Sequence, residues 1–139
     1  MRRHEFFVDI PVVNLKHPRS SKKSIMEARA IKRNTNSSPR KMMLVIDMIR
    51  GKNVDDALTM LHYSTKHAAK VCEKTLRSAV ANFHQKEGGE RIAPEQMFLK
   101  EAYVNQGVTL RRMLPAPMGR AYRIRKRSHH LTLIISDKK

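Results

Sequence analysis

The chain has 139 residues and a formal charge of +17, from 29 Lys or Arg against 12 Asp or Glu. This length fits one domain, and its core must be mainly aliphatic because the chain has no Trp, four Phe and three Tyr. The lone Cys72 excludes an intramolecular disulfide, and the longest apolar run, Met42–Ile46, is far too short to span a membrane.

Residues 1–26 are predicted to form an N-terminal extension, since they hold Pro11, Pro18 and only a brief apolar stretch. Such a tail is either solvated or becomes ordered on RNA or on a neighbouring protein. Residues 27–139 are predicted to form a single domain. It begins with a weak strand over 27–36, in which Ala28 and Ala30 share one face.

Three helices are predicted next. Ser38 as N-cap and Pro39 at the first turn start a helix that Gly51 ends; its expected buried stripe is Met42, Met43, Val45, Ile46 and Ile49. Asn53 starts a second, short helix with Asp55 and Asp56 in its first turn. Thr65 caps a third helix over about 66–85, whose expected apolar stripe is Ala69, Cys72, Leu76, Ala79 or Val80, and Phe83.

A strand over about 95–105 and a returning strand over about 121–136 predict a long β-hairpin arm across roughly 100–130. Its far end is marked by Gly107, Pro115, Pro117 and Gly119. Alternation places Arg123, Arg125 and Arg127 on one face of the returning strand, opposite Tyr122, Ile124 and Lys126. The predicted fold is therefore α+β: a three-helix body packed on a small antiparallel sheet, with a long protruding β-hairpin.

No catalytic or metal site is predicted, and no cofactor. Cys72 lies on an apolar helical stripe, where a buried side chain is far more common than a nucleophile. The seven His are scattered, which favours surface or RNA-facing positions. By contrast, the arm holds six Arg and one Lys between Asn105 and Arg127, and no acidic residue occurs from Ala102 to Ser136. This charge pattern favours nucleic-acid contact through shape and phosphate.

Several segments carry a resemblance to a known family. They are Ser38–Lys41, Ile49–Lys52, Ala57-Leu58 with Leu61, Glu73–Ala79, and the run from Arg111-Arg112 through Gly119-Arg120-Ala121 to Arg127–Thr132. Over roughly residues 27–137 the chain resembles the bacterial-type family of large ribosomal subunit protein twenty-two. The resemblance implies a non-enzymatic constituent of the large subunit that binds ribosomal RNA, supports subunit assembly and lines the nascent-chain exit tunnel with its hairpin tip.

Carried over to this chain, the resemblance implies two sets of site residues. The expected ribosomal-RNA contacts are Arg40, Lys41, Arg50, Lys52, Arg111, Arg112, Arg120, Arg123, Arg125, Lys126, Arg127 and His129. The expected tunnel-lining tip is Leu110, Arg111, Arg112, Met113, Leu114, Pro115, Ala116, Pro117 and Met118. In this chain Pro115–Met118 makes the tip stiffer and less cationic than is common in the family.

The expected partners are large-subunit ribosomal RNA, neighbouring ribosomal proteins and the nascent polypeptide, without a membrane or a second copy of the chain. The expected location is the ribosome, in the cytoplasm or in an organelle. Two alternatives remain open at this point. A free basic RNA chaperone would share the charge but would not need the long hairpin, and an RNA-processing enzyme would need an acid–base or metal cluster.

Overall fold

The structure is a computed structural model that describes residues 26–86 and 92–137. The extension predicted over 1–26 therefore lies outside the described residues, except for Met26. Residues 87–91 and the last two residues lie outside them as well.

Three strands and three helices make up the described chain, and the predicted α+β class is confirmed. In chain order they are β1 (Glu27–Thr35), α1 (Pro39–Ile49), α2 (Val54–His62), α3 (His67–His84), β2 (Phe98–Pro115) and β3 (Ala121–Ser136). Short 3-10 turns at Pro94–Gln96 and Pro117–Gly119 precede β2 and β3.

The sheet is antiparallel in the order β1-β3-β2, so the last strand of the chain lies in the centre. Ala30 and Ala102 both lie opposite Leu133, one on each side. All three are buried in one apolar cluster with residues from α1, α2 and α3. One face of β3 thus anchors the helices, and the small alanines of the flanking strands let helices approach closely.

The helices begin and end close to the predicted positions. Gly51 has a φ of +71°, a left-handed conformation suited to glycine, just after α1. Ser38 and Asn53 occupy N-cap positions, but neither side chain bonds a backbone N–H. The N-cap of α3 is Lys66, so the cap expected at Thr65 is wrong. Met43, expected in the buried stripe of α1, is exposed.

The main correction concerns β2. It begins at Phe98 and continues to Pro115, ten residues beyond the predicted end at Asn105. Gly107 is not at the far end of the hairpin but inside β2, where the pairing with β3 shifts between Gln106 and Thr109. The chain therefore reverses only at residues 116–120, and both sides of the arm are regular strand.

Candidate nucleic-acid interface

The arm is the part of the β2–β3 ribbon that has no third strand beside it. The last pair that β1 makes with β3 is Thr35 with His129. Beyond it, β2 and β3 continue through seven consecutive pairs, from Thr109 with Arg127 to Pro115 with Ala121. At about 3.4 Å per residue the paired part spans roughly 20 Å, and the turn extends it further. The predicted projection is therefore present.

The turn at the arm's end is tight, and its residues Ala116–Gly119 carry no charge. Pro117–Gly119 forms a 3-10 turn in which Met118 has a φ of +61° and Gly119 a φ of +70°. The N–H of Ala116 donates to the carbonyl of Arg120 at 2.9 Å, which closes the ribbon. Met118 is 91% exposed at the extreme end. A left-handed conformation is uncommon for a residue with a side chain, and here it aims an apolar side chain outward.

One face of the arm, hereafter the arginine face, carries Arg111, Arg123, Arg125 and Arg127. Arg111 lies directly opposite Arg125, and all four side chains are exposed. No arm cation forms an ion pair with a carboxylate in the part of the chain that the structure describes. Like charges directly opposite each other on a sheet destabilise it, so this face is arranged for anions that come from outside the chain.

The other face, hereafter the mixed face, alternates apolar and basic side chains. Its cross-strand pairs are Leu110 with Lys126, Arg112 with Ile124, and Leu114 with Tyr122. Alternation along β3 predicts that Tyr122, Ile124 and Lys126 share this face. Their partners in β2 are not predicted from sequence, because the expected end of β2 at about residue 105 precedes all three partners.

A cleft of about 840 Å³ opens where the arm leaves the body. Polar residues at the end of β1 and in the loop before α1 form one side, and arm residues form the other. The lining is Asn34, Asn36, Ser37, Ser38, Val108, Leu110, Arg125, Lys126, Arg127 and Ser128. The cleft thus combines neutral hydrogen-bonding groups with three cations, a composition suited to a phosphate-bearing chain.

The four basic residues predicted on the body lie at two separate places. Arg40 and Lys41 are exposed in the first turn of α1. Arg50 and Lys52 lie beyond its other end, about 16 Å away for an eleven-residue helix. Arg50 also holds the fold together, because its Nη2 donates to the carbonyl of Ala102 at 3.2 Å and its Nη1 lies 3.1 Å from Asp47.

His129 does not lie at the surface, which corrects the expectation for this residue. It is 0% exposed, and its Nδ1 lies 3.0 Å from the carbonyl oxygen of Ser37, which can only accept. Nδ1 therefore carries the proton. His130, the next residue, differs, because its Nδ1 accepts the N–H of Asn34 at 3.0 Å. The two imidazoles thus fasten the end of β1 and the loop before α1 to the root of the arm.

Cys72 is buried, as predicted. Burial raises the pKa of its thiol to about 12, so the nucleophilic thiolate is scarce near neutral pH. In residues 26–86 and 92–137 no three His, Cys, Asp or Glu side chains form a group that could hold a metal ion. None of the described helices is long and apolar enough to span a membrane.

A helical body on a three-stranded sheet, with a basic two-stranded arm, defines a class: small, strongly basic α+β proteins with a projecting cationic β-ribbon. The comparison with known families is more specific. A family model described as Ribosomal protein L22p/L17e matches residues 30–136, and the chain belongs to this family.

Individual relatives agree with this assignment. The large ribosomal subunit protein uL22 of Chlorobium luteolum is 54% identical over 114 residues, which are 82% of this chain and 96% of that protein. The protein of the same name in Chlorobaculum tepidum is 54% identical over 110 residues, 79% of this chain and 92% of that protein.

The resemblance seen in the sequence is thereby confirmed. The chain has a structural, non-enzymatic role in the large ribosomal subunit, and its location is the ribosome. This decides against the free RNA chaperone and against the RNA-processing enzyme.

Proposed function

We propose that this chain binds large-subunit ribosomal RNA through its arm and the cleft at the arm's root, supports subunit assembly, and lines the nascent-chain tunnel with the tip. One observation carries the RNA-binding part. The arm exposes seven cations, and none of them has a carboxylate partner within the described residues. They are Arg111, Arg112, Arg120, Arg123, Arg125, Lys126 and Arg127.

The energetics of the arm support the same proposal. A two-stranded ribbon alone is marginally stable in water, and the opposed pair of Arg111 and Arg125 weakens it further. Phosphates beside these guanidinium groups remove the repulsion and add bidentate hydrogen bonds. RNA therefore contributes to the order of the arm, and the ordered arm in turn joins RNA segments that fold around it.

The tip has the composition expected of a tunnel wall. The proposed lining residues run from Leu110 to Met118, and from Met113 to Met118 none is charged. Met113 and Met118 are strongly exposed. A neutral, apolar tip has no charged group to bind phosphates. It can instead border a lumen through which polypeptides of every sequence pass. Arg111 and Arg112 lie where this segment meets the basic part of the arm.

The body contributes a second contact region in this proposal. Arg40 and Lys41 extend from the start of α1, near the loop that lines the root cleft. Arg50 and Lys52 lie at the other end of the helix and contact a different part of the RNA. His129 is not among the proposed contacts, because its ring is buried. Neighbouring ribosomal proteins, rather than a second copy of this chain, are the proposed protein partners.

Ultraviolet crosslinking with sequencing, on intact cells that express the tagged chain, tests RNA binding. Reads concentrated at a few fixed positions in large-subunit ribosomal RNA are expected. Reads spread over many transcripts would overturn the proposal. The tip is tested separately with a photoreactive residue at Met118 in translating ribosomes, where crosslinks to nascent polypeptide are expected and crosslinks to ribosomal RNA alone would refute a tunnel position.

Charge removal tests the assembly role. The Arg123→Ala, Arg125→Ala, Arg127→Ala triple variant should accumulate in incomplete large subunits while its helical circular-dichroism signal stays normal. A matched control removes three exposed lysines from the body, Lys66, Lys70 and Lys74, with the same loss of net charge. Equal assembly defects in both variants would show that total charge, and not the arm, matters.

A further inference from the structure

The mixed face exposes several large apolar side chains to solvent. Tyr122 is 61% exposed, and Leu114, directly opposite it, is 51% exposed. Leu110, two pairs nearer the body on the same face, is 50% exposed. Isolated apolar residues on a surface are common, but these follow one another in register along one face of a ribbon. A row of exposed apolar side chains of this kind is typical of a binding surface.

The charges on the same face indicate what covers it. Arg112 lies opposite Ile124, and Lys126 lies opposite Leu110, so each cation sits beside an apolar neighbour. No acidic residue occurs between Ala102 and Ser136. Single-stranded nucleic acid has the complementary composition, because flat bases alternate with phosphates along its chain. Proteins bind it with aromatic platforms set among cations.

We propose that the mixed face receives unpaired nucleobases of ribosomal RNA, with the Tyr122 ring, flanked by Leu114, as the platform on which one base stacks. This inference rests on the proposed RNA-binding function of the arm and adds a division of labour to it. The arginine face has no aromatic residue and contacts phosphates. The mixed face contacts bases, which places structured RNA on both sides of the ribbon.

Binding measurements separate stacking from charge. The full chain is titrated with deproteinised large-subunit ribosomal RNA at several salt concentrations, with Tyr122→Ala and Tyr122→Phe as the variants. Loss of one stacked base should weaken binding roughly five- to a hundredfold. The slope of log affinity against log salt should stay unchanged, because no phosphate contact is lost. Tyr122→Phe should restore the affinity, since it keeps the ring.

The triple arginine variant serves as the contrasting control. It should flatten the salt slope by roughly two to three units, close to one for each phosphate contact removed. A Tyr122→Ala protein that binds like the unchanged chain would overturn the stacking proposal. So would a variant whose loss of affinity appears only as a changed salt slope.

Ultraviolet irradiation of purified large subunits, followed by mass spectrometry of arm peptides, locates the base. A nucleotide adduct on Tyr122 supports the proposal. Adducts confined to peptides of the arginine face would overturn the stacking role while leaving RNA binding intact. No RNA adduct on any arm peptide would overturn both. A Tyr122 adduct to a protein or nascent chain would show that the mixed face has a protein occupant.

Discussion

At Gly107, at the root of the arm, β3 leaves no room for a side chain on β2. A Cβ built on Gly107 would lie 2.5 Å from Ser128 Oγ, 3.1 Å from the Ser128 carbonyl carbon and 3.2 Å from the His129 nitrogen. Moving Ser128 Oγ away costs free energy, because this hydroxyl donates a hydrogen bond to the carbonyl of Val108 at 2.7 Å. The expected perturbation is therefore Gly107→Ala, acting by steric overlap at the root of the arm.

The size of the effect follows from these distances. The Ser128 hydroxyl must move about 0.9 Å to reach an ordinary contact of about 3.4 Å, and its hydrogen bond is then lost. A lost hydrogen bond costs about 1 kcal/mol, and overpacking adds about 1–3 kcal/mol. The strain reaches the body, because the preceding residue pairs with buried His129, which also pairs with Thr35 of β1. Urea unfolding followed by helical circular dichroism should show a loss of about 2–4 kcal/mol.

Two controls define the test. Gly119→Ala adds a methyl group with nothing within 4 Å. Its cost is therefore only the left-handed φ of +70°, about 1–2 kcal/mol for a residue with a Cβ. That strain lies in the turn at the far end of the arm, so the unfolding free energy of the body should fall less than it does in Gly107→Ala. Adding Ser128→Ala to Gly107→Ala removes the closest overlap, so the double variant should be about 1 kcal/mol more stable than the sum of the single effects predicts. Additive effects, or full stability of Gly107→Ala, would refute the steric argument.

Two further predictions concern the body. Ile46→Ala in α1 should lower the unfolding free energy by about 2–5 kcal/mol in urea titrations, since Ile46 is 0% exposed. The control Leu44→Ala, in the same helix at 59% exposure, should change the unfolding free energy by less than about 1 kcal/mol. Equal losses in the two variants would contradict the assigned core. Burial raises the pKa of Cys72 from 9.0 to about 12, so above about pH 9 the unfolded thiol loses its proton while the folded thiol keeps it. Stability should therefore fall as the pH rises from about 9 towards 12. Cys72→Ala should abolish that component, and a pH dependence identical to that of the unchanged chain would refute the burial argument.

The helical body was predictable because its signals are local. Pro39 is tolerated in the first turn of a helix but not in its interior, so it marks where α1 begins. Gly51 takes a left-handed conformation that ends α1. The apolar spacing of α3 then identified Cys72, Leu76 and Phe83 as buried. The predictions were wrong where a tertiary contact determines whether a side chain is buried. Met43 is an apolar residue of α1 that the sheet and the other helices do not cover.

The arm could be predicted only in part. A strand is recognised from sequence by alternation between a buried and an exposed face, and both faces of the arm are exposed. No alternating pattern is therefore visible at Val108, Leu110 and Met113. From sequence Gly107 is interpreted as a turn residue, although it lies inside β2. The burial of His129 was equally out of reach, because its partner Ser37 lies 92 residues away in the chain.

The two-sided character of the arm originates in the core. Every shift in pairing inserts the extra residue into β1 or β2, between Lys32 and Thr35, Leu99 and Glu101, or Gln106 and Thr109, and β3 itself is uninterrupted. Alternation along β3 therefore continues unbroken from the buried Leu131, Leu133 and Ile135 to Arg127, Arg125 and Arg123. The face of β3 that packs on the helices is the face that carries the arginines, with His129 at the boundary. Packing of the body thus fixes which side of the arm presents charge and which presents Tyr122, before any RNA is bound.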